Sequence, residues 1–407
     1  MRSPSPASPR AVPAAPSVNR WLVLAVLFVT RTAMGCQYQS VAAVAPPLAE
    51  DLGLSFAAVG LLHGLYFLTG LAIAIPGGLL GDRFGAERML LASLAVMALG
   101  GLLTGLAPGF GLAWLGRLLA GCGGVTLNVL LIATVIKRFE GRELATALGV
   151  LFMSWPLGIA VASAGLSALA DVAGWRAAVH LTTALAALCL LLLAAVVGAP
   201  PAPAAPGRRR LRLDLSAREA ALLGLASGLW ALYNGAFILV PSYAPPLLIA
   251  SGLSLAEAGR LASLGMGVGA LSLPFGGWLT DRCGRPLAVI AGASLAMAVL
   301  IALLTAAPRA AALHLLFGLA VGLPAGAIAS LPGRVLRDDN RATGIGIFAT
   351  GSYIGLTFLP PIAGEMLDRT GDPTLPLYFA AAISAATAAL VLPFRAVRGR
   401  PAPASPR

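Results

Sequence analysis

Arg31 is the side chain in this sequence with the clearest capacity for chemistry, because it interrupts a long apolar stretch. If a helix begins near Trp21, Arg31 lies about 15 Å along its axis, near the middle of a bilayer core about 30 Å thick. An arginine at that depth costs at least about 2.5 kcal/mol, so we expect it to face an aqueous cavity. Because a guanidinium binds a carboxylate through two parallel hydrogen bonds, this placement predicts an anion-binding site.

Two other interpretations of Arg31 remain open. The guanidinium pairs with backbone carbonyls, or the helix begins nearer Ala25 and the side chain extends back toward the interface. The acidic residues fall in loops or near the ends of the predicted helices, so none is available to neutralise Arg31.

Further polar residues inside predicted helices are candidate substrate contacts, and these are Tyr38, Asn128, Tyr233, Asn234 and Tyr353. Tyr38 follows Arg31 by seven residues and therefore shares its helix face. Asn128 follows Gly121 and Gly124 along one face of a helix whose small residues permit close packing. Each polar group is also able to hydrogen-bond a neighbouring helix instead of a substrate.

The elements that carry these residues are membrane helices. The chain is 58% hydrophobic and 11% charged, whereas soluble domains are about 25% charged. Continuous apolar runs predict an all-α membrane protein, because a lone helix satisfies its own backbone in lipid. We predict twelve helices, at about 20–46, 57–80, 88–107, 112–136, 143–168, 175–198, 218–242, 256–280, 286–307, 310–335, 342–363 and 374–394.

The placement of positively charged residues predicts which side of the membrane the termini and loops lie on. Of the 28 Lys and Arg residues, 22 fall in the two tails and in alternate loops, 4 in the other loops and 2 within helices. The positive-inside rule therefore predicts a multi-pass protein of the cell inner membrane with both termini cytoplasmic. The same placement explains the net charge of +12 without nucleic acid, because these residues lie near anionic lipid.

An internal repeat divides the chain into two halves. The run that begins Gly77-Gly78 and ends Asp82-Arg83-Phe84-Gly85 returns as Gly276-Gly277 to Asp281-Arg282-Cys283-Gly284. We predict a disordered tail at 1–19, a six-helix bundle at 20–198, a linker rich in Pro and Arg at 199–217, a second bundle at 218–394 and a tail at 395–407. Repeats in the same orientation place a transport pathway between the bundles.

These turns resemble the signature loop of the major facilitator superfamily, and Arg117 followed by Gly121 and Gly123 resembles its fourth-helix motif. The resemblance implies two pseudo-symmetric six-helix bundles that work by alternating access. It also implies that the turns are latches favouring the outward-open state, formed by Gly78, Asp82, Arg83, Gly85, Gly277, Asp281, Arg282 and Gly284. A turn that only sets topology is the alternative. Arg117 is expected to support conformational change or proton movement, or else to serve as a structural hydrogen-bond donor.

The sequence therefore predicts a monomeric secondary transporter of a small solute, most simply a small organic or inorganic anion, and not an enzyme. No nucleotide-binding Gly-rich motif is present, and we expect no cofactor and no metal site. A coupling proton, carried by His63, His180 or His314, or a counter-substrate stays open. The alternatives are an exporter of drugs or other hydrophobic compounds, and a transporter-like sensor or receptor without net transport.

Overall fold

The computed structural model describes residues 19–139, 143–197 and 215–399, without the side chains at 74–83, 144–145 and 338–343. The first half contains helices α1 (Arg20–Ala43), α2 (Ala45–Leu52), α3 (Phe56–Phe84), α4 (Ala86–Gly105), α5 (Phe110–Arg138) and α6 (Leu144–Val197). The second half contains α7 (Ala217–Ala250), α8 (Leu255–Cys283), α9 (Pro286–Ala306), α10 (Ala311–Ala329), α11 (Leu331–Val335), α12 (Asp338–Thr370) and α13 (Leu375–Gly399).

Helix α6 is two membrane crossings rather than one. Gly174 interrupts it with φ 82° and ψ 161°, values outside the helical region that glycine adopts without strain. Gly158 in its first part packs on Gly35 of α1, and Cys189 in its second part contacts Thr30 of α1. The two parts therefore run back along the same helix. With α2 and α11 too short to span, the described helices provide the predicted twelve crossings.

The predicted helix ends differ from the structure at several helices; α12, for example, spans Asp338–Thr370 where 342–363 was predicted. Helix α7 continues through Pro241, Pro245 and Pro246 to Ala250, whereas the equivalent stretch of the first half breaks at Val44 into α1 and α2. Helix α13 extends to Gly399, so the predicted tail at 395–407 begins with helical residues. Residues 1–18 of the predicted tail at 1–19, most of the linker and residues 400–407 lie outside the described residues.

Two helix pairs join the halves. We call the face that carries Arg20 and Gly399 the terminal face and the opposite face the distal face. Near the distal face, Gly64 of α3 lies so close to α12 that a Cβ there would be 2.2 Å from the Thr357 carbonyl. Gly259 of α8 is similar, because a Cβ on it would be 2.1 Å from the Ser163 carbonyl of α6. Backbones can approach this closely only at residues without side chains.

Two carboxylates cap helices across these contacts. Asp368 of α12 accepts hydrogen bonds from the amides of Phe56 and Ala57 at the start of α3, at 2.8 and 2.6 Å. Asp171 of α6 accepts one from the amide of Ala256 at the start of α8, at 2.8 Å. Free amides and the helix dipole make such N-termini favourable for negative charge. We call the two glycine contacts and the two caps together the distal seam.

The repeated turns lie at the terminal face. Gly85 and Gly284 adopt φ of 90° and 61°, as a tight turn requires. The side chains of Asp82 and Arg83, together with Gly78, lie outside those described. In the second copy Asp281 and Arg282 are exposed, Arg282 rests on the Trp278 ring at 5.5 Å, and Gly277 has open space around it. The role of these turns as latches stays a prediction.

Candidate functional site

Arg31 lies at the middle of α1, which begins at Arg20 and ends at Ala43. The interpretation with a later helix start is therefore wrong, and the side chain is only 7% exposed. Its Nε donates to Asn128 Oδ1 at 2.9 Å, and its Nη1 donates to the carbonyls of Leu151 and Phe152 at 3.0 and 3.3 Å. The guanidinium also lies over the Phe152 ring, 5.2 Å from its centroid.

The third nitrogen of the Arg31 guanidinium, Nη2, differs from the other two. Among the described residues, Nη2 makes no hydrogen bond and no carboxylate pairs with Arg31. The contacts with Asn128 and the two carbonyls therefore use two of the three guanidinium nitrogens and fix the plane of the group. They leave one donor and an uncompensated positive charge, and both are suited to an incoming anion.

Tyr353 is the residue of the second half that lies next to Arg31. It lies on α12 and interacts with the guanidinium of Arg31 and with the side chain of Asn128. Three of the predicted candidates, on α1, α5 and α12, are thus neighbours. Because two of them belong to one half and the third to the other, relative movement of the halves must change the site.

Aromatic rings form one wall of the site, and the sequence did not single them out. Phe67 stacks on Tyr353 with centroids 5.7 Å apart and planes inclined by 19°. Trp155 meets Phe67 edge-on at 5.6 Å. Gly70 lies directly beneath Tyr353, because a Cβ there would be 2.8 Å from its ring. Residues 67 and 70 are three apart on α3, and this spacing is the one signal that could have found them.

Tyr38 does not lie beside Arg31. Its ring is fully buried behind the wall, 4.9 Å from Phe67 and 5.2 Å from Trp155. Seven residues give nearly two helical turns, about 10 Å of rise, so a shared face did not bring the two side chains together. A substrate contact by Tyr38 stays a prediction.

The two α7 candidates belong to a separate aromatic group in the second half. Tyr233 donates to the Val321 carbonyl at 2.8 Å, and Asn234 donates to the Trp230 carbonyl of its own helix at 2.8 Å. Trp230 stacks on Tyr233 and on Phe348 of α12, with centroids 5.5 and 5.4 Å away. The described hydrogen bonds do not link this group to Arg31.

Arg117 differs from Arg31, because each of its three guanidinium nitrogens donates a hydrogen bond. Its Nε, Nη1 and Nη2 donate to the carbonyls of Leu62, Gln37 and Tyr38 at 3.0, 2.9 and 3.0 Å. The guanidinium lies 5.0 Å from the Tyr66 centroid and the side chain is 1% exposed. Arg117 thus connects α1, α3 and α5, as the structural interpretation predicts.

This chain is a two-bundle membrane transporter in its fold and in its central polar site. The profile of the Major Facilitator Superfamily matches residues 24–245 and 225–407, and the chain belongs to that family. It is therefore a multi-pass transmembrane transporter of small molecules, with the twelve-helix fold of the family, and not an enzyme.

Relatives and solved structures agree with the family. The 3-(3-hydroxy-phenyl)propionate transporter of Escherichia coli K12 is 27% identical over 369 residues, covering 87% of this chain and 89% of that protein. A bacterial homologue of the human lysosomal transporter Spinster, solved inward-facing and occupied, superposes with a TM-score of 0.70 at 19% identity over 94% and 97% of the two chains. The nucleoside transporter NupG gives 0.72 at 13% identity over 92% and 99%.

Proposed function

We propose that this transporter carries a small organic anion whose carboxylate binds Arg31. The observation behind the proposal is the guanidinium itself, which is held at the middle of α1 by Asn128 and two carbonyls. Maintaining an unneutralised cation there is costly. That cost is offset when an anion occupies the site, and a transporter of neutral solutes gains nothing from it.

The aromatic wall narrows the substrate class. Tyr353 interacts electrostatically with Arg31, and the rings of Phe67 and Trp155 continue from it as a contiguous aromatic surface. An aromatic ring prefers stacked or edge-on aromatic partners and gains about 0.5–1.5 kcal/mol from each beyond its burial. A carboxylate that carries an aryl group would bind Arg31 through its charge and the aromatic rings through its own ring. The Escherichia coli relative, named as a transporter of an aryl carboxylate, supports this choice.

The distal seam supports an alternating-access cycle. The described residues place the glycine approaches and both cross-half caps near the distal face. At the terminal face, ion pairs with both side chains described, such as Arg20–Glu143 and Arg337–Glu219, stay within one half. We take this as the state that opens toward the terminal face, which we assign to the cytoplasm of a bacterial-type inner membrane on the positive-inside rule.

Uptake by purified protein in liposomes tests the anion proposal. We expect transport of labelled aryl carboxylates to fall at least tenfold in Arg31→Gln, because a hydrogen bond to a charged group contributes about 1.5–3 kcal/mol. Arg20→Gln removes an exposed charge from the same helix and should keep uptake within about twofold. Equal anion uptake by wild type and Arg31→Gln would overturn the proposal.

The exporter of hydrophobic compounds is the second candidate, and the α7 aromatic group favours it. Trp230 and Phe348 stack on each other and suit a bulky apolar ligand. In that case Arg31 is structural, and a neutral aromatic substrate is transported equally by wild type and Arg31→Gln.

A further inference from the structure

His63 is a buried histidine inside the distal seam. It lies on α3 between Gly60 and Gly64 and is 2% exposed. Its Nε2 is 3.4 Å from Ser242 Oγ on α7, so the contact joins the two halves of the protein. Its Nδ1 is buried and has no hydrogen-bond partner among the described residues. Most buried polar atoms are paired, so this one calls for an explanation.

The surroundings of the ring are polar but poorly satisfied. The Tyr38 ring packs on the imidazole at 4.2 Å between centroids, and the nearby Tyr38 carbonyl accepts a hydrogen bond from Arg117 Nη2 at 3.0 Å. Tyr38 Oη and Gln39 Oε1 also have no partner among the described residues. A cavity of about 10 Å³ adjoins His63, Ser242 and Tyr243, which is about the space of a single water molecule.

One full charge acts on the ring from the helices around it. Arg117 of α5 interacts electrostatically with His63, while Tyr38 of α1 and Tyr66 of α3 are neutral neighbours. From α7 come Ser242 and Tyr243, and Tyr243 in turn interacts with the carboxylate of Asp368 at the end of α12.

We propose that His63 is a proton-binding site, reached from the distal side when the seam opens and emptied before it closes. A buried imidazolium beside a guanidinium is unfavourable, so the sealed seam requires the neutral ring. When the halves separate, water reaches Nδ1 and Nε2, and an ordinary imidazole titrates near pH 6.5. Acid on the distal side then favours the open state, because a ligand shifts the equilibrium toward the state that binds it better. This inference does not depend on which solute is carried.

The test measures opening of the seam against pH. Spin labels are attached to Val172→Cys, next to the distal bend of α6, and to Thr370→Cys, at the distal end of α12; both positions are exposed. Both substitutions are made in a Cys122→Ser/Cys283→Ser background. The protein sits in nanodiscs between pH 8 and pH 5.5, and label distances report the ratio of open to sealed molecules. We expect that ratio to rise with acid by up to about tenfold per pH unit, the limit for one proton.

His63→Gln keeps the size and hydrogen bonding of the ring but does not titrate, so we expect its ratio to be independent of pH. His314→Gln is the matched control, because His314 is equally buried but contacts the Pro308 carbonyl of its own half. It should keep the pH dependence. Three results would overturn the proposal: a parent protein without pH dependence, a dependence that survives in His63→Gln, or one lost in Asp368→Asn instead.

A second measurement uses the native ring, in case His63→Gln does not fold. In a His180→Gln/His314→Gln protein, His63 is the one histidine left, and its imidazole carbon resonances report its protonation. The proposal expects them to titrate together with the label distances. A ring that stays neutral while the seam opens contradicts it.

Discussion

Arg31 and Arg117 show how the same side chain takes two roles inside one membrane protein. Both are almost completely buried, and both donate to backbone carbonyls. Arg117 donates from all three guanidinium nitrogens to carbonyls, whereas Nη2 of Arg31 makes no hydrogen bond among the described residues. A fully paired guanidinium stabilises the fold, and a partly paired one holds a charge in place for a ligand.

For Arg117 we predict a loss of stability in Arg117→Gln. Glutamine cannot serve three carbonyls on two helices, and each lost charged hydrogen bond is worth about 1.5–3 kcal/mol. The apparent Tm in detergent should fall by about 5 °C or more. Arg309→Gln, which removes an exposed arginine that contacts Ser251, should leave it nearly unchanged. A normal Tm with abolished transport would instead favour the gating interpretation of Arg117.

At the scale of elements, the distal seam is where the two halves contact most closely. Gly60 of α3 and Gly259 of α8 are equivalent positions of the repeat, and a Cβ on either would meet a carbonyl of the opposite half, at 2.6 Å from Pro360 and 2.1 Å from Ser163. Each helix start is also capped by an acid from the opposite half. The repeat in the sequence explains this pairing, because Ala57 and Ala256 are equivalent positions. The seam therefore consists of two similar contacts that close together.

Removing the caps should loosen the seam. Losing an N-cap acceptor costs about 0.5–2 kcal/mol, so Asp171→Ala/Asp368→Ala should raise the open population several-fold. Asparagine keeps an acceptor but not the charge, so the double Asn variant should change less. The spin-label distance between positions 172 and 370 is the measurement. An unchanged distance distribution in the double alanine variant would show that the caps do not hold the seam.

A methyl group in the glycine contact should also prevent closure. In Gly64→Ala the new Cβ would be 2.2 Å from the Thr357 carbonyl, so α3 and α12 must separate. We expect a more open seam and slower turnover. Gly224→Ala is the control, because nothing lies within 4 Å of that position. Full turnover in Gly64→Ala would mean that the seam does not need this close approach.

The pH dependence of the seam should not come from Asp51, the carboxylate near the end of α2. Hydrogen bonds from Arg176 and then Trp175 lower the pKa of Asp51 below its ordinary value. A lowered pKa gives a contribution that is present above about pH 4 and lost only as the pH falls further. Asp51→Asn should therefore keep the seam's response between pH 8 and 5.5. A loss of that response would assign it to Asp51 rather than His63.

At the scale of the whole molecule, the sequence predicted the number of membrane helices and the position of Arg31 near the middle of the first one, because helix rise and bilayer thickness are fixed quantities. It did not predict that Asn128 holds Arg31 or that Phe67 stacks on Tyr353. Those contacts depend on which faces of distant helices meet. The caps were missed because Asp171 and Asp368 look like ordinary exposed acids until the halves are assembled.

The most direct test of the anion site compares one ligand with and without its charge. Binding of an aryl carboxylate and of its carboxamide is measured by calorimetry on wild type and Arg31→Gln in nanodiscs. We predict that wild type prefers the carboxylate at least tenfold and that Arg31→Gln loses this preference while still binding the carboxamide. An equal preference for the carboxylate in both proteins would contradict the assignment of Arg31 as the anion-binding residue.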